Sequence, residues 1–200
     1  MTEPNATRAD IRREIRKRRL AITPELRAQH SRQAAATIAS HQIFKRSRNI
    51  AIYLANDGEI DPAPLAAIAR RCDKNLFLPV LAPNRANRLD FAPYHPHSLL
   101  RANRFGIAEP VVSRSQMISI HTLDLVLTPL VSFDNNGNRL GMGGGFYDRS
   151  FAFLHHRRHW QKPRLLGFAF ACQQINTLPH QEWDVPLAGI ATEQGVALFD

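Results

Sequence analysis

Arg139-Leu140-Gly141-Met142-Gly143-Gly144-Gly145-Phe146-Tyr147-Asp148 sets an arginine, a phenol and a carboxylate around a run of glycines. Glycine has no Cβ, so its backbone N–H groups can approach a ligand closely and adopt positive φ. Phe146 to His155 reads as an amphipathic helix, with Phe146, Phe151 and Leu154 as its apolar positions. The loop therefore leads into a helix N-terminus, where unpaired N–H groups and the helix dipole favour an anion, phosphate above all. It lacks the Gly-Lys-Ser/Thr ending of a P-loop, and its spacing misses the Rossmann fingerprint. The competing reading is a flexible turn. Arg139 before the glycines, with Tyr147 and Asp148 after them, favours a site.

Three other groups could do chemistry. Arg8, Arg12, Arg16 and Arg19 form a stripe on a basic helix from Thr7 to Leu20, beside an apolar arc of Ile11, Ile15 and Ile22. This is either a solvated face or an arm whose planar guanidinium groups pair with phosphate oxygens. Glu59 follows an apolar strand and would lie beyond its carboxyl end, where open α/β sheets place ligands. His155, His156 and His159 raise a metal site, but beside Arg157 and Arg158 they read as a solvated basic helix end.

The elements that must position these groups alternate in type. Thr23-Pro24-Glu25 starts a second helix running to about His41, with Leu26, Ala34 and Ile38 facing inward. Ile50 to Leu54 is a buried-type strand, Asn56-Asp57-Gly58 a turn, and Asp61-Pro62 caps a helix to about Arg71. Leu76 to Leu81 is the next strand, which makes a βαβ unit and a parallel pair. Leu89 to Tyr94 reads as an edge or antiparallel strand, and Pro93 to Pro110 as a long irregular connection. Strands follow at Leu123 to Leu127 and Arg164 to Ala169; Pro179 to Pro186 is a loop, and Ile190 to Phe199 finishes the sheet. The expected fold class is α/β, one domain over residues 1–200 with an N-terminal helical hairpin.

A chain of 200 residues with 44% hydrophobic content can bury a sizeable core and is not disordered throughout. The net charge of +9 points to anionic partners without choosing among them. Cys72 and Cys172 stand without metal-ligand spacing and read as two buried thiols in a reducing compartment. No signal-peptide core and no apolar run of spanning length occur, so a cytoplasmic location and no membrane association are expected.

In order along the chain, the basic helix is followed by Gly58-Glu59-Ile60-Asp61 and Asn103-Arg104-Phe105-Gly106-Ile107-Ala108-Glu109-Pro110. The glycine loop, Trp183-Asp184-Val185-Pro186 and Ala191-Thr192-Glu193 complete the series. This combination resembles the 5-formyltetrahydrofolate cyclo-ligase family, the methenyltetrahydrofolate synthetases, over nearly the whole chain. The glycine motif is its most specific part. The resemblance implies a three-layer α/β/α sandwich with a mainly parallel sheet. It also implies conversion of 5-formyltetrahydrofolate to 5,10-methenyltetrahydrofolate with ATP and Mg²⁺, releasing ADP and phosphate.

By the same resemblance, the nucleotide would lie on Arg8, Arg12 and the loop Arg139, Leu140, Gly141, Met142, Gly143, Gly144, Gly145, Phe146 and Tyr147. Folate would contact Leu54, Glu59, Phe105, Met142 and Phe146. Asp148 and Asp184 match the family's metal-binding acids, and Arg139, Tyr147 and Asp148 would be catalytic. The chain departs from the family pattern at Arg8, where lysine is more common, and at Phe146, where many relatives have tyrosine. Met142 replaces a basic or aromatic residue of some relatives, and Gly144 a lysine. Asp148→Asn is expected to cut turnover far more than fold stability. Polyglutamylated folate would give the basic surface a further use, and a monomer is expected.

Two other readings remain. A phosphosugar isomerase or transferase on a related scaffold would need neither ATP nor the ordered acids Asp148 and Asp184. A nucleic-acid-binding module would use the Arg8 to Arg19 helix, but no recognised nucleic-acid motif accompanies that charge, so no nucleic-acid partner is expected.

Overall fold

The computed structural model describes residues 6–83, 87–157 and 162–199. His159 and Arg158 lie outside the described residues. The chain begins with α1 (Arg8–Leu20), α2 (Pro24–Ser40) and the single turn α3 (Gln42–Lys45). Next come β1 (Asn49–Ala51), α4 (Ala63–Arg71), β2 (Asn75–Leu81) and β3 (Leu89–Pro93). A hairpin, β4 (Leu100–Ala102) and β5 (Ala108–Pro110), precedes β6 (Leu125–Thr128), β7 (Ser132–Phe133) and β8 (Arg139–Leu140). The chain continues through α5 (Phe146–Phe151), β9 (Arg164–Phe168), β10 (Gly189–Thr192) and β11 (Gly195–Leu198).

Seven strands form the main sheet in the order β11-β10-β9-β6-β1-β2-β3. The five inner strands are parallel, and β3 and β11 close the edges antiparallel. Strand side chains alternate between faces, so both faces of a parallel sheet must be apolar. Ile50, Leu125, Leu127, Leu166 and Phe168 pack under α2, α3 and α4, against Ala35, Ile38, Phe44 and Leu65. Ala51, Val126, Leu165 and Ile190, one register off, face the opposite layer with Phe91 and Phe151 of α5. Burial of each such leucine or phenylalanine contributes about 2 kcal/mol. The result is the expected helix–sheet–helix α/β arrangement.

The N-terminal helices begin as their cap residues dictate. Thr7 and Asp10 form a capping box on α1, and the Thr23 hydroxyl accepts the Leu26 N–H at the start of α2. The two helices serve different parts of the body. Ile11 and Ile15 of α1 pack with Val131, Leu140, Ile175 and Leu178 beside β7 and β8, whereas α2 lies on α4, β10 and β11.

Several sequence expectations are corrected. Residues 93–110 are not wholly irregular, because Asn103 and Gly106 (φ 75°) turn the chain into the β4–β5 hairpin. The last strand is a hairpin reversing at Glu193–Gln194. The helix after the glycines is shorter than expected, with α5 giving way to a 3₁₀ stretch over Ala152–His156. Leu26 is exposed on the outer side of α2. Both cysteines are exposed, Cys72 at the C-cap of α4 and Cys172 in a 3₁₀ turn after β9. No helix among the described residues is long and apolar enough to cross a membrane.

Candidate active site

Along the five parallel strands the sheet order is second, first, third, fourth, fifth in chain position. Chain connections leave β1 and β6 in opposite directions along the sheet, which opens a crevice beyond their carboxyl ends. A cleft of about 910 Å³ lies there, floored by Tyr53 and Leu54 after β1 and by Pro129 and Leu130 after β6. The Tyr53 hydroxyl donates to the Ile60 carbonyl at 2.8 Å and so ties the floor to the turn that carries Glu59.

Gly141 to Gly145 form one wall. Gly143 (φ 106°) and Gly145 (φ 64°) occupy left-handed backbone that other residues reach only with strain. Arg12 Nε donates to the Gly141 carbonyl at 2.8 Å, and Arg149 Nη1 to the Gly144 carbonyl at 2.7 Å. Among the described residues the N–H groups of Gly141 to Gly145 donate no hydrogen bond. Arginines thus hold two loop carbonyls while the amides stay available, the polarity an oxyanion requires. The short α5 adds a weaker dipole than the longer helix expected from sequence, so the amides and arginines carry this argument.

Arg139 lies beneath the loop with its side chain 4% exposed. Its Nη2 donates to Asp148 Oδ1 at 2.5 Å, and its Nη1 donates to the Val185 carbonyl. Burial lowers the guanidinium from its ordinary value, opposed by Asp148, Asp184 and Tyr147. Arg139 is therefore the buried partner of Asp148. Leu140, expected among the nucleotide contacts, turns its side chain into the core beside Ile11 and Ile15 and does not line the cleft. Alternation along β8 explains this, since Arg139 and its neighbour must face opposite ways.

Arg8 Nη2 donates to Asp184 Oδ2 at 2.7 Å, joining residues 176 positions apart. Arg8 Nε is buried with no partner among the described residues. Asp184 Oδ2 also accepts the Gln181 N–H, and Asp148 Oδ1 the Val185 N–H. Among the described residues, Asp148 Oδ2 and Asp184 Oδ1 receive no hydrogen bond. Two hard carboxylate oxygens suit Mg²⁺, which commonly takes one or two carboxylates and completes its shell with water and phosphate. Among the described residues no group of three or more His, Cys, Asp and Glu converges, so remaining ligands would come from substrate and water. His155 and His156 are exposed and outside the cleft.

Glu59 stands across the cleft from the loop, its Oε2 accepting the Asn56 N–H at 3.1 Å. Burial raises its carboxyl above the ordinary value of 4.5, with Asn56 and Arg19 opposing and Asp57 adding to the rise. Tyr147 stacks on Phe151 with ring centroids 6.1 Å apart. Its phenol is pushed upward first by burial, then by Glu59, and Arg139 opposes both. The Phe105 ring meets Phe146 edge-on at 5.8 Å, which brings the β4–β5 hairpin over the glycine wall. Met142 stands at the rim, 55% exposed.

Sequence reasoning assigned no role to Tyr53, Arg149, Asn103, Glu109 or Trp183, all of which line the cleft. Trp183 is 66% exposed at its mouth. A signal existed for it and for the hairpin pair, since they lie in stretches already singled out. Arg149 ends the glycine stretch, where only its hold on the Gly144 carbonyl was hidden, and Tyr53 gave no signal, because its placement depends on the sheet.

Known proteins resemble the chain over nearly its whole length. A family model described as the 5-formyltetrahydrofolate cyclo-ligase family matches residues 4–193. A protein named 5-formyltetrahydrofolate cyclo-ligase from Escherichia coli is 41% identical over 184 residues, covering 91% of this chain and 98% of that protein. One of the same name from Haemophilus influenzae is 40% identical over 189 residues, 92% of this chain and 96% of that one. The NMR structure of Aquifex aeolicus 5,10-methenyltetrahydrofolate synthetase superposes with a TM-score of 0.79 at 30% identity, covering 96% of this chain and 92% of that chain.

Proposed function

The chain belongs to the 5-formyltetrahydrofolate cyclo-ligase family, and on that premise we propose that it closes 5-formyltetrahydrofolate to 5,10-methenyltetrahydrofolate with ATP and Mg²⁺, releasing ADP and phosphate. A formamide oxygen is a poor leaving group. Transfer of the terminal phosphoryl group of ATP to that oxygen makes a leaving group of it. The second folate nitrogen then attacks the formyl carbon and gives up its proton, and the C–O bond breaks as phosphate departs. Phosphoryl transfer asks a protein mainly for positioning and charge neutralisation.

One observation carries this reading: the unpaired amides of Gly141 to Gly145, their loop carbonyls held by Arg12 and Arg149. They would cradle the phosphates with Arg8 and Arg12. Arg139 would act through Asp148, whose second oxygen, with that of Asp184, would hold Mg²⁺; bound there, the ion would neutralise phosphate charge. Glu59 as a carboxylate would accept hydrogen bonds from the amino and ring N–H groups of the pterin. Leu54, Phe105, Phe146 and Met142 would supply apolar and aromatic surface to its flat rings. Tyr147, its phenol kept neutral, would offer an O–H between the Glu59 side and the Arg139 side of the cleft. The whole chain acts as one catalytic domain, active as a monomer in the cytoplasm, with no nucleic-acid partner. Its charge of +9 favours polyglutamylated substrate, and equal KM values for mono- and polyglutamyl forms across a salt series would count against that part.

The test is absorbance at the methenyl product's band with purified protein, 5-formyltetrahydrofolate, Mg²⁺ and ATP, each omitted in turn. Product only in the complete mixture is expected. Product at full rate without ATP would remove phosphoryl activation from the account.

A further inference from the structure

The turn that presents Glu59 is gripped from outside the cleft. Asp57 has φ 49°, and its Oδ2 accepts Arg16 Nε at 2.9 Å and Arg19 Nη2 at 2.8 Å. Arg19 Nη2 also donates to the Asp57 carbonyl at 2.7 Å. The next residue, Gly58 (φ 72°), sits in left-handed backbone, and a Cβ there would crowd the tips of Leu20 at 3.0 Å and Arg27 at 3.3 Å. Residues of both α1 and α2 therefore close on one four-residue turn.

This grip is more than the turn itself needs. An Asx–Gly sequence turns readily without ion pairs. Arg19 is completely buried, and its Nε and Nη1 have no partner among the described residues. Burying an incompletely satisfied guanidinium is costly and persists only where something depends on it. Arg16 and Arg19 do not line the cleft, whereas Asp57 does, so they reach it through Asp57 and, for Arg19, also through its charge beside Glu59. One and two turns earlier on the same stripe of α1, Arg12 holds the Gly141 carbonyl and Arg8 holds Asp184. A single helix thus sets the glycine loop and the Glu59 turn in register across the cleft.

We propose that Asp57, clasped by Arg16 and Arg19, is a positioning residue that fixes the Glu59 carboxylate relative to the glycine loop for folate binding. This rests on the reading of Glu59 as a folate contact. Asp57→Asn is the informative variant, because asparagine tolerates the left-handed backbone and removes the charge, keeping one acceptor oxygen while an NH2 replaces the other. It raises KM for 5-formyltetrahydrofolate about tenfold, while kcat and KM for ATP stay within about twofold. In a Glu59→Gln background the same substitution has no further effect on folate KM, because a positioning residue has nothing left to position. A purely structural role would instead give effects that multiply across the two backgrounds, and that result, or an unchanged KM in Asp57→Asn, overturns the proposal. Arg16→Gln, at a half-exposed position, carries the same cycle if Asp57→Asn does not fold. Unchanged folate KM in Glu59→Gln alone overturns the underlying reading, and with it the proposal; the single variant separates the two failures.

Discussion

The glycine loop and the β4–β5 hairpin meet across the cleft at Phe146 and Phe105, yet they are built in opposite ways. Behind the loop lie a buried Arg139–Asp148 pair, the buried Leu140 side chain and two loop carbonyls held by arginines. The hairpin carries Leu100, Phe105 and Ile107 exposed to solvent. Its hold on the body includes Glu109 Oε1, which accepts the Leu81 N–H at 2.9 Å and Asn103 Nδ2 at 2.7 Å. The difference fits the tasks proposed for the two walls. Charge neutralisation loses its worth when groups shift by an ångström, whereas an aromatic cover over flat rings tolerates adjustment.

The comparison breaks most severely at Asp148. Asp148→Asn is expected to lower kcat about 100-fold in steady-state assays. The structure revises the sequence expectation about its stability. Because the carboxylate faces the buried Arg139, the variant also loses about 3 kcal/mol in denaturant unfolding. Wild-type turnover would remove Asp148 from the mechanism.

Glu59 gives the next largest effect, and its sign is fixed by burial. Its carboxyl is raised above 4.5, so folding favours the protonated form. The unliganded protein accordingly loses stability as pH rises from 4.5 through the raised value, and Glu59→Gln at neutral pH is at least as stable as the parent in thermal melts. In the proposed reading folate binding runs the other way, since it would use the carboxylate. kcat/KM for 5-formyltetrahydrofolate should fall on acidification at a pH above 4.5, and that limb should vanish in Glu59→Gln. A limb that persists would belong to another group.

On the hairpin the expected effects are smaller. Phe105→Ala raises folate KM about fivefold with kcat nearly unchanged. Glu109→Ala is expected to act by loosening the hairpin that carries Phe105, with an effect on folate KM no larger than that of Phe105→Ala. A larger effect in Glu109→Ala would give Glu109 a direct contact of its own.

The sheet was legible because Ile50, Leu76, Leu125 and Leu165 begin apolar runs that must be covered on both faces, and β-type runs alternating with helices allow few topologies. The hairpin at 100–110 was not, since Leu100-Arg101-Ala102 is too short for a periodic signal and buries neither face, and only Asn103 and Gly106 signal a turn. The residue types of the site were legible along the glycine loop. What each acid pairs with was not, because Arg8–Asp184 spans 176 positions and exists only once the sheet has closed. The same limit hid the Arg19–Asp57 clasp, which reads in sequence as one more arginine on a basic face.

The central claim is that phosphate is held on the glycine-loop side and the folate head on the Glu59 side. Its most direct test is a paired measurement of KM for ATP and for 5-formyltetrahydrofolate in Arg12→Ala and Glu59→Gln. The account predicts a crossed result: Arg12→Ala raises KM for ATP about tenfold and spares folate, and Glu59→Gln does the reverse. Parallel losses for both substrates in both variants would contradict the division.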